Sequence, residues 1–388
     1  MLKKIIAAVL IFSLFTVCIA AEGKGEENVE TAGPEVNCRS AVLMECTTGK
    51  ILYAKNEDEM LPPASVTKIM TLLLIAEAIE QGRLSLQDEI SISAYAASMG
   101  GSQVFLEEGE RLPLEEVLKC TIIASANDAS VALAEHHSGS ESVFVDAMNQ
   151  RARELGLEHT KFENTTGLDD TTVEHLTSAE DIAIISRELL RHECIRKYAC
   201  MWQDSIRDGA FVLTNTNRLV RYYPGCTGLK TGSTDKAGFC ISASAKRGDM
   251  ELIAVVMGAD TRDERNRIAK ELLDFGFATY GVYRDAGGYL EDAECLRATR
   301  RSVALHTDGF TCVVGKADVK SIEKIYDIPK ELSAPIPSGD AVGSVTYRLN
   351  GEDIGRADIY VLEAVEKISY ASVLWQLMSH LVCGQTNK

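Results

Sequence analysis

The chain has 388 residues, enough for more than one core, and carries 57 acidic against 40 basic residues for a formal charge of −17. That balance excludes an extended phosphate-binding surface, so no nucleic-acid partner is expected, and attraction to a polyanionic substrate is disfavoured as well. Lys3 and Lys4, an apolar stretch over 5–20, the small Ala20 and Ala21 and a polar run from Glu22 read as a secretory signal over residues 1–21, followed by a linker over 22–35. About 16 apolar residues fall short of a membrane span. Of the 11 cysteines, Cys18 lies in the signal; the others are widely spaced, sit in apolar runs and lack zinc-type spacing, so most read as buried free thiols.

Residues 41–46 and 50–55 form two short strands joined through Thr47, Thr48 and Gly49. Pro62 and Pro63 then force an extended approach to Ser65, after which 66–81 is apolar nearly all round, the pattern of a helix in the middle of a domain. Ser65 and Lys68, three residues apart, share a face of that helix with β-carbons roughly 5–6 Å apart. They sit at its first turn, where orphan N–H groups and the dipole favour developing negative charge. A serine hydroxyl needs a base, and a lysine held below its usual pKa by burial and nearby cations can serve.

Helical periodicity continues at 113–123, 126–137, 140–155 and 178–190, the last opening with a capping box from Thr177 to Glu180. Glycines at 100, 101 and 109 bracket a loop around Phe105, and 164–170 is another turn-rich stretch. Strands return at 227–232, 238–245 and 251–257, with a tight turn over 246–249, and a helix over 262–275 closes the unit. The order predicts an α+β domain over 36–282: one antiparallel five-stranded sheet with edges from opposite ends of the segment, a helical lobe inserted, and a cleft between them.

Residues 287–366 read as a small all-β domain, with strands at 302–305, 310–314, 344–349 and 358–361 and no cluster of nucleophile, base or metal ligands. Residues 367–383 form an amphipathic helix, with Tyr370, Val373, Leu374, Leu377, Met378 and Leu381 on one side and Trp375 near the boundary, suited to a membrane interface. Few cations accompany it, so apolar area is expected to carry the attachment with little help from anionic lipid.

Two further triplets complete the candidate site. Ser125 and Asn127 lie at a junction of helices, where Ser125 can relay a proton between Lys68 and a leaving amine and Asn127 can bind a peptide carbonyl. Lys230, Thr231 and Gly232 lie in a late strand. Lysine offers charge to a substrate carboxylate and keeps Lys68 neutral, threonine adds a donor, and glycine leaves room for a ligand lying as an extra strand. Each triplet is common, but Ser-x-x-Lys, Ser-x-Asn and Lys-Thr-Gly in this order and context form the penicillin-recognising pattern.

Segments 62–71 (PPASVTKIMT), 99–105 (MGGSQVF), 125–130 (SANDAS), 162–170 (FENTTGLDD) and 228–232 (GLKTG) extend the match, and the sequence resembles the D-alanyl-D-alanine carboxypeptidases, the low-molecular-mass penicillin-binding proteins of serine peptidase family S11. The resemblance implies a serine β-lactamase/DD-peptidase-like domain followed by the small β-domain. It implies an exported, membrane-associated enzyme that removes the terminal D-alanine from peptidoglycan stem pentapeptides ending in D-Ala-D-Ala and is acylated by β-lactams. The catalytic residues it implies are Ser65, Lys68 and Ser125, with Asn127, Lys230, Thr231 and Gly232 binding substrate and the backbone N–H groups of Ser65 and Ser233 forming an oxyanion hole. No metal or organic cofactor is called for. Many relatives have glycine where Ala126 stands. The same site can serve a DD-transpeptidase or a β-lactamase, although no glutamate suited to fast deacylation precedes Asp170; outside enzymes, the rival is a catalytically silent wall-binding protein.

Overall fold

A computed structural model describes residues 33–170 and 172–383, leaving the expected signal and nearly all of the linker outside the described residues. The chain opens with the hairpin β1 (Ser40–Glu45) and β2 (Ile51–Lys55), then enters a 3₁₀ turn, Ala64–Thr67, that runs directly into α1 (Lys68–Glu80). The lobe comprises β3 (Glu89–Ser91), α2 (Ala94–Ala97), β4 (Arg111–Pro113), α3 (Leu114–Lys119), α4 (Asn127–Ser138), α5 (Glu141–Glu154), α6 (Ala179–Leu189), α7 (Glu193–Ala199), the hairpin β5 (Gln203–Ile206) and β6 (Phe211–Thr214), and α8 (Leu219–Tyr222). The sheet is completed by β7 (Cys226–Thr234), β8 (Gly238–Arg247) and β9 (Met250–Ala259), and α9 (Arg262–Thr279) follows.

The five strands stand in the order β2-β1-β9-β8-β7, all neighbours antiparallel, so the first and last parts of the domain share one sheet as expected. The central strands are apolar at successive positions because both faces are covered. Val42, Met44, Ile253 and Val255 point into a core shared with α1, α4 and α6, while Ala41, Leu43, Leu252, Ala254 and Val256 alternate onto the opposite face against Ile268, Leu272 and Leu273 of α9. α1 is buried from Lys68 through Ala76, which explains its lack of a polar face and makes it the rigid centre of the domain.

Three local expectations shift. The cap of α6 is Ser178, whose hydroxyl accepts the Asp181 N–H, because Thr177 is committed to a β-bridge with Leu61. The helix expected over 113–123 is α-helical only to Lys119; a π turn, Cys120–Ala124, follows and delivers Ser125 in the left-handed region (φ 62°). The nine cysteines whose side chains are described, Cys383 not being among them, are free, but only Cys120, Cys240 and Cys295 are fully buried, and Cys200 is exposed.

From the end of α9 the chain passes straight into the β-domain: β10 (Tyr280–Asp285), β11 (Gly288–Leu296), β12 (Ser302–Thr307), β13 (Phe310–Gly315), β14 (Glu323–Asp327), β15 (Leu332–Ser333), β16 (Ala341–Leu349) and β17 (Glu352–Val361). These eight strands, twice the number read from the sequence, form a six-stranded sheet and the pair β10-β13. Lys50 reaches the Val313 carbonyl and the Tyr280 hydroxyl the Leu52 carbonyl, so the domain abuts the β2 edge, the far side of the sheet from β7. α10 (Tyr370–Cys383) ends the described chain with Tyr370, Leu374, Trp375, Leu377 and Met378 exposed. No helix among the described residues is long and apolar enough to cross a membrane.

Candidate active site

The 3₁₀ turn before α1 holds Ser65 half-buried at the cleft, with Lys68 one turn on and fully buried. Lys68 Nζ lies 3.1 Å from Ser65 Oγ, 2.6 Å from Asn127 Oδ1 and 2.8 Å from the Thr166 carbonyl oxygen. Burial first and Lys230 second hold this amine well below the ordinary lysine range, with Asp128 opposing them. A neutral amine has two N–H bonds and one lone pair. Two of its three neighbours here are carbonyl oxygens that can only accept, so the N–H bonds go to Asn127 and Thr166 and the lone pair is left facing the Ser65 hydroxyl. In its neutral form Lys68 is thus oriented on Ser65 by the same two carbonyl contacts, while burial and Lys230 supply the downward shift.

The sheet closes the site from the other side. β7 is the sheet's edge, and Gly232 packs so tightly on the serine turn that a β-carbon there would stand 2.8 Å from Ser65 N and 2.9 Å from Pro63 O. Besides the expected room for a ligand backbone, the missing side chain of this glycine makes room for the Ser65 turn itself. The Ser65 N–H has no acceptor among the described residues, and Ser233, exposed, follows the Gly232 contact directly. Lys230 is fully buried, and burial together with the Arg265 guanidinium pushes it down to about 7. Arg265, on α9 and also buried, went unnoticed in the sequence. Thr231 donates to the Thr216 hydroxyl at 2.9 Å.

The two middle residues differ from expectation. Asn127 is buried, and besides accepting from Lys68 it donates Nδ2–H to the Gly100 carbonyl and its backbone N–H to that of Ser102, both at 2.7 Å. It is tied to Lys68 and to the 100–106 loop through Oδ1 and one Nδ2–H, and its second Nδ2–H is not needed for either contact. Ser125 is also buried, but its hydroxyl makes no hydrogen bond to Lys68, whose three partners are those named above.

Several further residues have no signature in the triplets. The Thr166 carbonyl is aimed by a loop stitched down on every side: Asn164 Oδ1 accepts the Thr166 and Gly167 N–H groups, and Thr71 and Ser130 hydroxyls donate to the Thr165 carbonyl. Gly167 (φ 81°) lies so close to the serine turn that a β-carbon would overlap the Ala64 carbonyl oxygen at 1.8 Å. His175 fastens the same loop to the Ser-x-x-Lys turn. Its Nδ1 accepts the Glu163 N–H at 3.0 Å, which leaves the proton on Nε2 to be donated to Thr67 Oγ1 at 2.8 Å. Burial pushes this imidazole down to about 4, so it is neutral. Across the cleft, Asp128 accepts the Val104 and Leu106 N–H groups and so fixes the loop that grips Asn127. Among the described residues no group of three His, Cys, Asp or Glu could hold a metal ion.

The profile of the D-alanyl-D-alanine carboxypeptidase family, peptidase S11, matches residues 27–261, more than half of the chain. The chain belongs to that family. The C-terminal domain of penicillin-binding protein 5 matches residues 284–367, accounting for the β-domain. Among relatives, the D-alanyl-D-alanine carboxypeptidase DacF of Bacillus subtilis is 40% identical over 385 residues, covering 97% of this chain and 98% of its own. DacC of Escherichia coli is 31% identical, covering 91% and 90%. Among solved structures, penicillin binding protein 5 from Haemophilus influenzae is 31% identical with a TM-score of 0.76, covering 86% of this chain and 99% of that one.

Proposed function

We propose that Ser65 Oγ is the nucleophile and Lys68 Nζ its base in the reaction of this family, the reading carried above all by the buried amine whose one uncommitted valence faces Ser65. The chain is a serine-type D-Ala-D-Ala carboxypeptidase acting on peptidoglycan stem pentapeptides, inhibited by β-lactams, and works at the extracytoplasmic side of the membrane. Ser65 Oγ attacks the penultimate D-alanine carbonyl carbon as its proton passes to Lys68. The oxyanion lies between the Ser65 and Ser233 N–H groups, donors worth roughly 3–4 kcal/mol each in such sites. The C–N bond then breaks, the Lys68 proton goes to the departing D-alanine nitrogen through the Ser125 hydroxyl, and an ester on Ser65 remains. Water, deprotonated by Lys68, hydrolyses that ester.

Lys230, backed by Arg265, faces the terminal carboxylate, Thr231 adds its hydroxyl, and the peptide lies along the free edge of β7. Asn127 is read as holding Lys68 in place, with its remaining N–H the part that can meet substrate. α10 lies in the membrane interface on its exposed stripe, where Leu374 and Trp375 are 63% and 76% exposed, and a signal over 1–21 accounts for export. The test is Ser65→Ala and Lys68→Ala assayed with a diacyl-L-Lys-D-Ala-D-Ala peptide and a fluorescent penicillin. Ser65→Ala abolishes both D-alanine release and labelling; labelling that survives refutes the nucleophile. Lys68→Ala folds yet fails to acylate, and unchanged acylation kinetics refute the base.

A further inference from the structure

α10 contains no lysine or arginine, and the chain as a whole is strongly acidic. The fold nevertheless brings cations to the helix from 70 residues earlier in the chain. Ala298 bridges Lys367, the Thr299 N–H donates to the Glu366 carbonyl at 3.0 Å, and the Ile368 N–H donates to the Arg297 carbonyl at 2.7 Å. These contacts seat the 297–301 turn against the residues from which α10 springs. The turn carries Arg297, Arg300 and Arg301, all exposed, and exposed Lys367 lies beside it. Arg300 is taken up by Glu363 at 2.8 Å, and Glu366 is a second carboxylate nearby; Arg297, Arg301 and Lys367 make no ion pair among the described residues. Leu296 and Leu362, also exposed, flank them.

We propose that this turn is a second membrane contact: Arg297, Arg301 and Lys367 bind the headgroups of anionic phospholipids while α10 lies in the acyl boundary beside them. The inference rests on the interfacial reading of α10 given above, and replaces the expectation that anionic lipid contributes little. A bilayer fits better than a soluble polyanion because the cations are continuous with an uncovered apolar stripe and two exposed leucines, which need an apolar phase as well as a negative surface. Two contacts, a helix and a turn on the folded β-domain, also fix the tilt of that domain, which a helix alone does not.

The test uses the full chain with vesicles of phosphatidylcholine alone or with about one third phosphatidylglycerol, read by co-sedimentation. Each cation near such a surface is worth about fivefold, so the wild type binds the anionic vesicles roughly 100-fold more tightly than the neutral ones, and about 1 M salt removes the difference. The triple variant Arg297→Gln, Arg301→Gln, Lys367→Gln loses that preference, binds neutral vesicles as before, and releases D-alanine from a soluble peptide at the wild-type rate. A variant with Leu374→Glu and Leu377→Glu loses both kinds of vesicle. The proposal is overturned if the wild type shows no preference for anionic vesicles while binding neutral ones, or if the triple variant keeps the preference. Failure of the wild type to bind any vesicle instead brings down the reading of α10. A solution dimer dispersed by the three glutamines, with vesicle binding unchanged, assigns the turn to a second copy and overturns the proposal too.

Discussion

Replacing Lys230 by methionine should make the protein more stable and less active at once. The ammonium is fully buried, its only hydrogen bond among the described residues is to the neighbouring Thr231 carbonyl, and burial with Arg265 pushes its pKa down to about 7 from an unfolded value near 10.5. Between those two values the unfolded chain binds a proton that the folded one does not, so this group's contribution to stability rises with pH across the window, and its full cost is present below about pH 7. Methionine fills most of the same space without the charge. The gain is on the order of 3–5 kcal/mol at about pH 6 and shrinks by roughly 1.4 kcal/mol per pH unit from about 7 towards 10. Urea unfolding of both proteins at about pH 6, 8 and 9.5 reads this directly. Loss of a charged hydrogen bond to the substrate carboxylate costs about 1.5–3 kcal/mol, so kcat/KM for the peptide falls roughly 10- to 150-fold. Because Lys230 is the second cause of the low Lys68 pKa, the acid limb of penicillin acylation moves to higher pH in the variant. A gain in stability that is independent of pH would show that burial does not depress Lys230, and an acid limb that stays in place would show that Lys230 does not act on Lys68.

Three other substitutions probe the positioning of the base. Gly232→Ala drives a β-carbon to 2.8 Å from Ser65 N, so the serine turn must shift: acylation slows by roughly 100-fold for about 1–3 kcal/mol of lost stability, and an unchanged acylation rate would mean the contact yields. Asn127→Asp sets a carboxylate against Lys68 and moves the acid limb of kcat/KM upward, whereas Asn127→Ala lowers the rate by unseating the amine; identical pH profiles for wild type and Asn127→Asp refute the role. His175→Phe removes the link between the 163–176 loop and Thr67, lowering kcat with little change in KM. With a folded pKa of about 4, His175 makes the wild type lose stability as pH falls from about 6.5 to 4, at no more than about 1.4 kcal/mol per unit, and acid unfolding of the variant should lack that slope.

The sheet was legible because its central strands are buried on both faces, so β9 stands out as a nearly continuous apolar run and β8 as a run of small and apolar residues between turn residues. The hairpins β3-β4 and β5-β6 were not, since strands of three or four residues carry no periodicity to read. The Ser65 and Lys68 pair was legible for a related reason: a lysine three residues into an otherwise apolar helix is a local conflict, and such conflicts collect at functional sites. What could not be read is what holds the base. Thr166 contributes a carbonyl, which every residue possesses, and its aim is set by a loop 98 residues from Lys68. Gly167 and Gly232 resemble ordinary turn and strand glycines until the serine turn is seen filling the space of their missing side chains. Asn127 reads from the sequence as a substrate ligand at a helix junction, and nothing in the sequence shows that its Oδ1 and one Nδ2–H are engaged by Lys68 and the Gly100 carbonyl. The nucleophile and base declare themselves by side-chain type, whereas the geometry that makes the base neutral and turns its lone pair on Ser65 consists of backbone atoms, close approaches and distant cations. A sequence can therefore name the chemistry of such a site well before it can say what tunes it.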